Sequence, residues 1–380
     1  MDFAWSAEQK SLFDAVTAFA GEKLKGDVIT RDREATFDRE GWDRCGEFGF
    51  QGLAVPREYG GLGLDPITTV GVLERLGYVC RDNGLVFSVN AHLWTVCMPM
   101  VAFGTEEQKR TYLPRLCNGQ LVGANAITEP EAGSDAYSMR TTAEKRGDHF
   151  VINGRKTYIT NGSIADVLVV FANADPAKGA AGISAFIVHK DNPGFKVVRA
   201  LDKMGLRTSP LAELAFEQCE VHESALLGKL GAGTSMFTNA LTWERGCILA
   251  SAIGSMQRLL ETCIRHARKR KQFGQSIGKF QLVGTRIVDM KLRLESSRQM
   301  LYHAAWLRSQ GKTATMESAM AKLYISENWV KTCEDAIQIH GGAGYLTETE
   351  LERELRDAIG SRIYSGTNEV QRQLIASMLI

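Results

Sequence analysis

A mainly helical chain in three parts is the architecture the sequence predicts: a helical segment over 1–120, a β segment over 121–232 and a helical bundle over 233–380. Three observations predict it. Apolar residues of the first third recur at helical spacing between glycine-rich breaks. The middle third changes to short apolar runs divided by turn residues. The last third returns to helical spacing and keeps it.

Ser6 and Gln9 form a capping-box pattern at the first helix, with Leu12, Val16 and Phe19 on one face. The stretch from Glu58 to Leu64 holds three glycines and reads as a break. Thr105 with Gln108 caps a further short helix, which Pro114 is expected to end or kink. Beyond Leu121, Phe150-Val151-Ile152 leads through Asn153-Gly154 into Arg155–Ile159, and Asn-Gly predicts a type I′ hairpin turn. Short apolar runs at 167–171, 183–188, 195–198 and 214–221 complete a compact β segment. After Gly233, the residues Val283, Ile287, Met290, Leu294, Leu301 and Ala305 stripe one helix of roughly 30 residues, some 45 Å long. Segments 234–270, 314–340 and 348–378 behave similarly, with Gly341-Gly342 and Gly344 dividing the last two. Such helices favour a bundle.

Composition excludes several classes. Lys plus Arg number 45 against 44 Asp plus Glu, a net charge of +1, which lacks the basic field of a nucleic-acid binder. With 44% apolar and 23% charged residues the chain is not a disordered, charge-rich one. No apolar run approaches the ~18 residues of a membrane helix, and Met1-Asp2-Phe3 opens without a signal or transit pattern. Cys45, Cys80, Cys97, Cys117, Cys219, Cys247, Cys263 and Cys333 are scattered, with no metal-like spacing, and predict reduced core residues of a cytoplasmic protein. No G-x-G-x-x-G opens a helix after a strand, so the usual nicotinamide fold is not expected.

The most informative stretch is Ala126-Ile127-Thr128-Glu129-Pro130-Glu131-Ala132-Gly133-Ser134-Asp135. Alone it is a hydroxyl- and glycine-rich turn, equally readable as a surface loop or as a cradle for an anion or heteroaromatic ring. With Arg57-Glu58-Tyr59-Gly60-Gly61, Tyr158-Ile159-Thr160-Asn161-Gly162, Lys203-Met204-Gly205-Leu206-Arg207, Arg270-Lys271-Gln272-Phe273-Gly274, Gln338–Tyr345 and Gly366-Thr367-Asn368-Glu369, it makes seven pieces in one order. In these pieces the chain resembles the acyl-CoA dehydrogenase family from end to end. The resemblance implies FAD, a helical, β-barrel-like and four-helix-bundle subunit, and a homotetramer whose flavin sites are completed across subunits.

It also implies roles for single residues. Ile127 and Thr128 would lie at the flavin ring, Gly133 and Ser134 at the pyrophosphate, Tyr158 on the ring face where the family usually has Trp, and Thr160 near the reactive edge. Arg270, Gln272 and Phe273 would come from a neighbouring subunit, with Gln281, Gln338, Gly341, Gly342, Thr367 and Glu369 around the rest of the cofactor. Without the resemblance, Arg270 is simply a solvated helix end in a cationic run.

The chain departs from the family at the base. Most members carry Glu immediately before the last Gly-Thr; here that residue is Ser365, in Tyr364-Ser365-Gly366-Thr367. A serine needs its own base to take a proton. Leu241-Thr242-Trp243-Glu244-Arg245 offers a carboxylate where isovaleryl-CoA dehydrogenase and some relatives place theirs, so the resemblance makes Glu244 the base. The Ser365 N–H would polarise the thioester carbonyl. Gly84–Ser88, Met98-Pro99, Trp243-Glu244-Arg245, Met290–Ser296 and Ile363–Thr367 look most like dehydrogenases of a prolyl group tethered to a peptidyl or acyl carrier protein. Tyr364, Phe87 and Ala91 would then bound a small acyl pocket, although Phe87 and Trp94 equally suit plain core packing, and His92 gets no catalytic role. A short branched acyl-CoA is the alternative substrate, and a non-catalytic thioester-binding protein the alternative class. An electron-transfer flavoprotein or O2 would take the electrons.

Overall fold

The computed structural model describes residues 4–380. Helices α1 (Ala7–Lys23), α2 (Val28–Glu34), α3 (Arg39–Phe48), α4 (Pro66–Val79), α5 (Asn83–His92), α6 (Met98–Phe103) and α7 (Glu106–Cys117) form the first part. Both predicted capping boxes are present, at Ser6/Gln9 and Thr105/Gln108. Pro114 does not end its helix. It sits inside α7, which runs three residues further to Cys117; a proline near the last turn removes little of the hydrogen-bond ladder.

One π-helical stretch, Leu93–Cys97, joins α5 to α6. The resulting helix, Asn83–Phe103, spans 21 residues and holds an 18-residue window of mean hydropathy 1.5, long and apolar enough to cross a membrane by those two measures. The expectation of no such run therefore needs correcting. Scattered polar residues such as Ser88, Asn90 and His92 hide the stretch from a search for uninterrupted apolar sequence. In the fold, 78% of that window is buried, which makes it a core helix.

The middle part is one eight-stranded sheet: β1 (Gly123–Ala126), β2 (Thr142–Arg146), β3 (His149–Thr160), β4 (Val167–Asn173), β5 (Ile183–His189), β6 (Phe195–Ala200), β7 (Leu211–His222) and β8 (Leu226–Leu227). The order is β6-β7-β3-β2-β4-β5-β8, with β1 parallel to β4. Phe150, Ile152, Leu168, Val170, Phe186, Val188, Leu214 and Phe216 fill the common interior of the curled sheet. Asn153-Gly154 is no hairpin turn. Strand β3 runs straight through it, with a register shift against β7 between Ile152 and Gly154. The turn that joins β2 to β3 is Gly147-Asp148, where Gly147 has φ +62°. Glycine's freedom at positive φ serves a bulge as well as a turn.

The last part holds α8 (Gly233–Cys247), α9 (Ala250–Lys269), a small hairpin of β9 (Lys271–Gln272) and β10 (Gln275–Ser276), α10 (Gln281–Ser309), α11 (Thr315–His340), α12 (Leu351–Gly360) and α13 (Asn368–Leu379). The single helices expected over 234–270 and 348–378 are each two. The first breaks at Ile248-Leu249 and the second over 361–367. The second break matters for function, because it frees Tyr364 and Ser365 from helical geometry. Met290, Leu294, Leu301 and Ala305 are buried as the stripe predicts. The eight cysteines are all buried and unpaired.

Candidate active site

The site begins where α8 faces the loop between α12 and α13. Trp243 stacks on the fully buried Trp94, with ring centroids 5.7 Å apart and planes 7° from parallel, and the Arg308 guanidinium lies 3.7 Å over the Trp243 ring. These contacts fix the rotation of α8 and thereby aim Glu244. Glu244 is half-buried. Burial raises its pKa above the ordinary 4.5, against the pull of the Ser365 hydroxyl, Arg245 and Lys322. The Ser365 Oγ is itself buried with no hydrogen-bond partner of normal geometry, so the carboxylate senses it as a nearby donor without a formed bond.

Ser365 sits at φ +59° and Gly366 at φ +83°. Two side chains hold this turn from behind. The Arg245 Nε donates to the Ser365 carbonyl at 3.1 Å, and the Gln371 Nε2 donates to the carbonyls of Ser365 at 3.2 Å and Gly366 at 2.8 Å. With both carbonyls so occupied, the Ser365 N–H donates to no group among the described residues. A free N–H beside a carboxylate of raised pKa can polarise a carbonyl while the carboxylate takes the adjacent proton. Tyr364 packs its ring on Phe87 of α5, centroids 4.7 Å apart, and Ala91 is buried one turn further along.

The sheet brings a second set of predicted residues together. Buried Glu129 accepts from Lys156 Nζ at 2.9 Å, from the N–H of Arg140 at 2.6 Å and of Thr141 at 2.9 Å, and from the Thr141 hydroxyl at 2.5 Å. Burial pushes the Lys156 pKa down to about 8. Burial acts to raise that of Glu129, and Lys156 with the other donors more than offsets it. The buried pair thus closes the 127–140 loop onto β3, with Thr157 N–H on the Thr128 carbonyl at 2.9 Å. The N–H groups of Thr128, Gly133 and Ser134 are left without partners among the described residues. Tyr158 lies in a register shift of β3 at φ +57°, 65% exposed. An aromatic residue held at positive φ and turned to solvent is strained, as functional residues often are. Thr160 ends the same strand.

Arg270, Gln272, Phe273, Gln281, Gln338, Gly341 and Gly342 form a separate group. The rings of His266 and His340, 4.1 Å apart, bring the ends of α9 and α11 together. Gln338 is sixteen residues beyond Lys322 on α11, about 24 Å along the helix, so this group stands far from the α8 pocket in one chain. Phe273 is 92% exposed at φ +50°. A side chain at Gly133 or Gly342 would meet nothing within 4 Å, so the chain's own packing does not demand glycine there. An outside group approaching the backbone would. Thr367 caps α13 by accepting from the Val370 N–H, and Glu369 follows it, exposed. Free N–H groups, open glycines and two exposed strained aromatics fit a long cofactor with an anionic and a flat aromatic part.

His92 has no role in this site: it is wholly buried, its Nδ1 accepts from Gly123 N–H at 2.9 Å, and its Nε2 lies 3.1 Å from the Leu116 carbonyl. Two clefts of about 290 and 440 Å³ lie elsewhere, the first beside Gly162 and Lys190, the second beside Trp5, Glu74 and Arg298. Sequence reasoning did not find Arg245, Gln371, Lys156 or Lys322. Their positions read as ordinary polar helix or strand residues, and only the fold shows them turned inward.

Family models for the acyl-CoA dehydrogenase N-terminal, middle and C-terminal domains match residues 6–120, 124–219 and 231–380. The chain belongs to the acyl-CoA dehydrogenase family. An L-prolyl-[peptidyl-carrier protein] dehydrogenase of Pseudomonas fluorescens is 42% identical over 380 residues, covering 100% of both chains. Among solved acyl-CoA dehydrogenase-like structures, the prolyl acyl carrier protein oxidase AnaB superposes with a TM-score of 0.98 at 51% identity, over 99% of this chain and 100% of that one. PigA with FAD and proline does so with a TM-score of 0.97 at 41% identity, over 100% and 99%.

Proposed function

We propose that this acyl-CoA dehydrogenase family member is an FAD-dependent α,β-dehydrogenase of an L-prolyl thioester carried by a peptidyl or acyl carrier protein. The likeness to prolyl-carrier enzymes over the whole chain supports the substrate. One observation carries the chemistry: Glu244, with a pKa raised by burial, faces the Ser365 turn, whose N–H is free.

The proton bookkeeping follows from that pair. The Ser365 N–H donates to the thioester carbonyl and steadies the charge that grows on its oxygen as the α-proton leaves. Glu244 accepts that proton; partial burial makes its carboxylate a stronger base than one in water. Tyr364, Phe87 and Ala91 close the acyl end and suit a five-membered ring better than a long chain. Bound FAD supplies the acceptor for the β-hydrogen and its electron pair. Ile127, Thr128, Gly133, Ser134, Tyr158 and Thr160 of one subunit would hold it, as would Thr367 and Glu369. The separation of Arg270, Gln272, Phe273, Gln281, Gln338, Gly341 and Gly342 from the pocket supports a homotetramer in which a neighbour completes each site. An electron-transfer flavoprotein or O2 takes the electrons onward, and the segments 1–120, 121–232 and 233–380 serve as the three domains.

Glu244→Gln should retain its yellow flavin and lose anaerobic bleaching by the prolyl thioester. Normal bleaching in that variant would refute the base. Offering prolyl-carrier protein beside isovaleryl-CoA tests the substrate, because faster bleaching by isovaleryl-CoA would reassign it.

A further inference from the structure

Lys322 lies in the interior of the C-terminal bundle with no exposed surface. An ammonium has three donors, yet among the described residues Lys322 Nζ makes one hydrogen bond, to the neutral Asn368 Oδ1 at 2.9 Å. No carboxylate among the described residues pairs with it directly. Leaving a buried cation so sparsely satisfied is costly, and an apolar residue of similar length would fill the same space. Its placement therefore calls for an account.

Asn368 is the joint between α11 and the loop that carries Tyr364 and Ser365. Its Oδ1 also accepts from Ser326 at 3.1 Å, its Nδ2 donates to Glu327 at 2.8 Å, and its N–H donates to the Arg362 carbonyl at 3.0 Å. Arg362 in turn donates to Glu327 at 2.7 Å. The far side of the loop is held from α8 by Arg245. The charges that bear on Lys322 are Glu244 and Arg245 from α8, Glu369 from α13 and Glu327 from its own helix. Of the three acids, Glu327 is already bonded to Arg362 and Asn368, and Glu369 is exposed beside Arg372. Among the described residues Glu244 forms no ion pair.

We propose that Lys322 is a positioning residue for proton abstraction: it anchors the Tyr364–Gly366 loop through Asn368, and its charge keeps Glu244 ionised and ready to accept the proton. The inference rests on Glu244 being the base. A cation near a carboxylate favours the charged form, so removing it moves the carboxylate's titration upward. Burial, the repulsion of Arg245 and the opposing pull of the acids leave Lys322 with a pKa lowered to about 7. The two groups then titrate as a coupled pair.

The test is the pH dependence of kcat/KM for the flavin-loaded enzyme on a prolyl thioester of a carrier protein. Lys322→Met removes charge and donor; Lys322→Gln keeps a donor for Asn368 without the charge. Both should keep FAD and move the acid limb up by roughly one pH unit, about a tenfold loss at a pH below the limb. Lys322→Arg should keep the wild-type limb. An unmoved limb in both neutral variants overturns the proposal, as does an equal shift in Lys322→Arg. Failure of both neutral variants to form a flavoprotein would make Lys322 merely structural, and would overturn it too. Glu244→Gln serves as the control: if it still bleaches, the base assignment has failed, whereas an inert Glu244→Gln beside unmoved limbs condemns Lys322 alone.

Discussion

Arg245 grips the turn at Ser365: its Nε donates to the Ser365 carbonyl at 3.1 Å, one residue along the helix from Glu244. A single helical turn of α8 thus supplies both the base and the clamp on the group opposite it. Arg245→Met leaves that carbonyl to Gln371 alone. The charge-assisted bond is worth about 1.5–3 kcal/mol, so kcat/KM should fall roughly 10- to 100-fold with FAD content unchanged. Steady-state kinetics with a flavin absorbance ratio checks this, and an unaltered kcat/KM would free the turn from Arg245.

Phe87 and Tyr364, in contact at 4.7 Å between ring centroids, set the size of the acyl end. Phe87→Ala should lower kcat/KM for the prolyl thioester and raise it for a straight-chain hexanoyl thioester. A pocket change of this size shifts discrimination by about 10- to 100-fold. If hexanoyl turnover stays flat while prolyl turnover falls, Phe87 is core packing and not a gauge.

How much of this was legible in the sequence depends on the range of the interaction. Helical period, the capping boxes at Ser6 and Thr105 and the stripe through Met290 and Leu294 are local, and they give the order of the three parts. Asn153-Gly154 misleads because a positive-φ glycine suits a bulge within β3 as well as a hairpin. Glu244 stands out through the resemblance, since Ser365 vacates the position the family usually gives to its carboxylate. Lys322, Lys156 and Arg245 are hidden for a different reason. In sequence a lysine or arginine on a helix or strand looks solvated, and each is turned inward by partners 46, 27 and 120 residues away.

His92 makes the fold sensitive to acid. Burial, which disfavours the charged ring, lowers its pKa from 6.5 to about 4, against the opposing pull of the Leu116 carbonyl. A folded-state pKa below the unfolded one means the stabilisation is full above pH 6.5 and is lost as pH falls toward 4. The difference amounts to about 3 kcal/mol over that window. Chemical denaturation between pH 7 and 4 should show His92→Gln less stable at pH 7 but with a shallower acid slope, by one proton. An identical slope in both proteins would assign the acid sensitivity to other groups.

The crossing of α4 and α9 is the tightest helix contact that a single methyl group can probe. A Cβ on Gly254 would run into the Glu74 carbonyl and the Tyr78 N–H, and one on Gly77 would strike the Ser251 backbone. Backbone atoms cannot swing aside as a side chain can, so Gly254→Ala has to push α4 away from α9. That displacement also disturbs Glu74, which holds Arg298 at 3.0 Å and Tyr302 at 2.8 Å across α10. Overpacking of this kind costs about 1–3 kcal/mol. The thermal midpoint of Gly254→Ala should therefore fall by several degrees. Glu244 lies on α8, outside the crossing, so flavin bleaching at low temperature should persist. A midpoint equal to wild type would show that the two helices can separate freely, and an inert but fully stable variant would tie the crossing to the site.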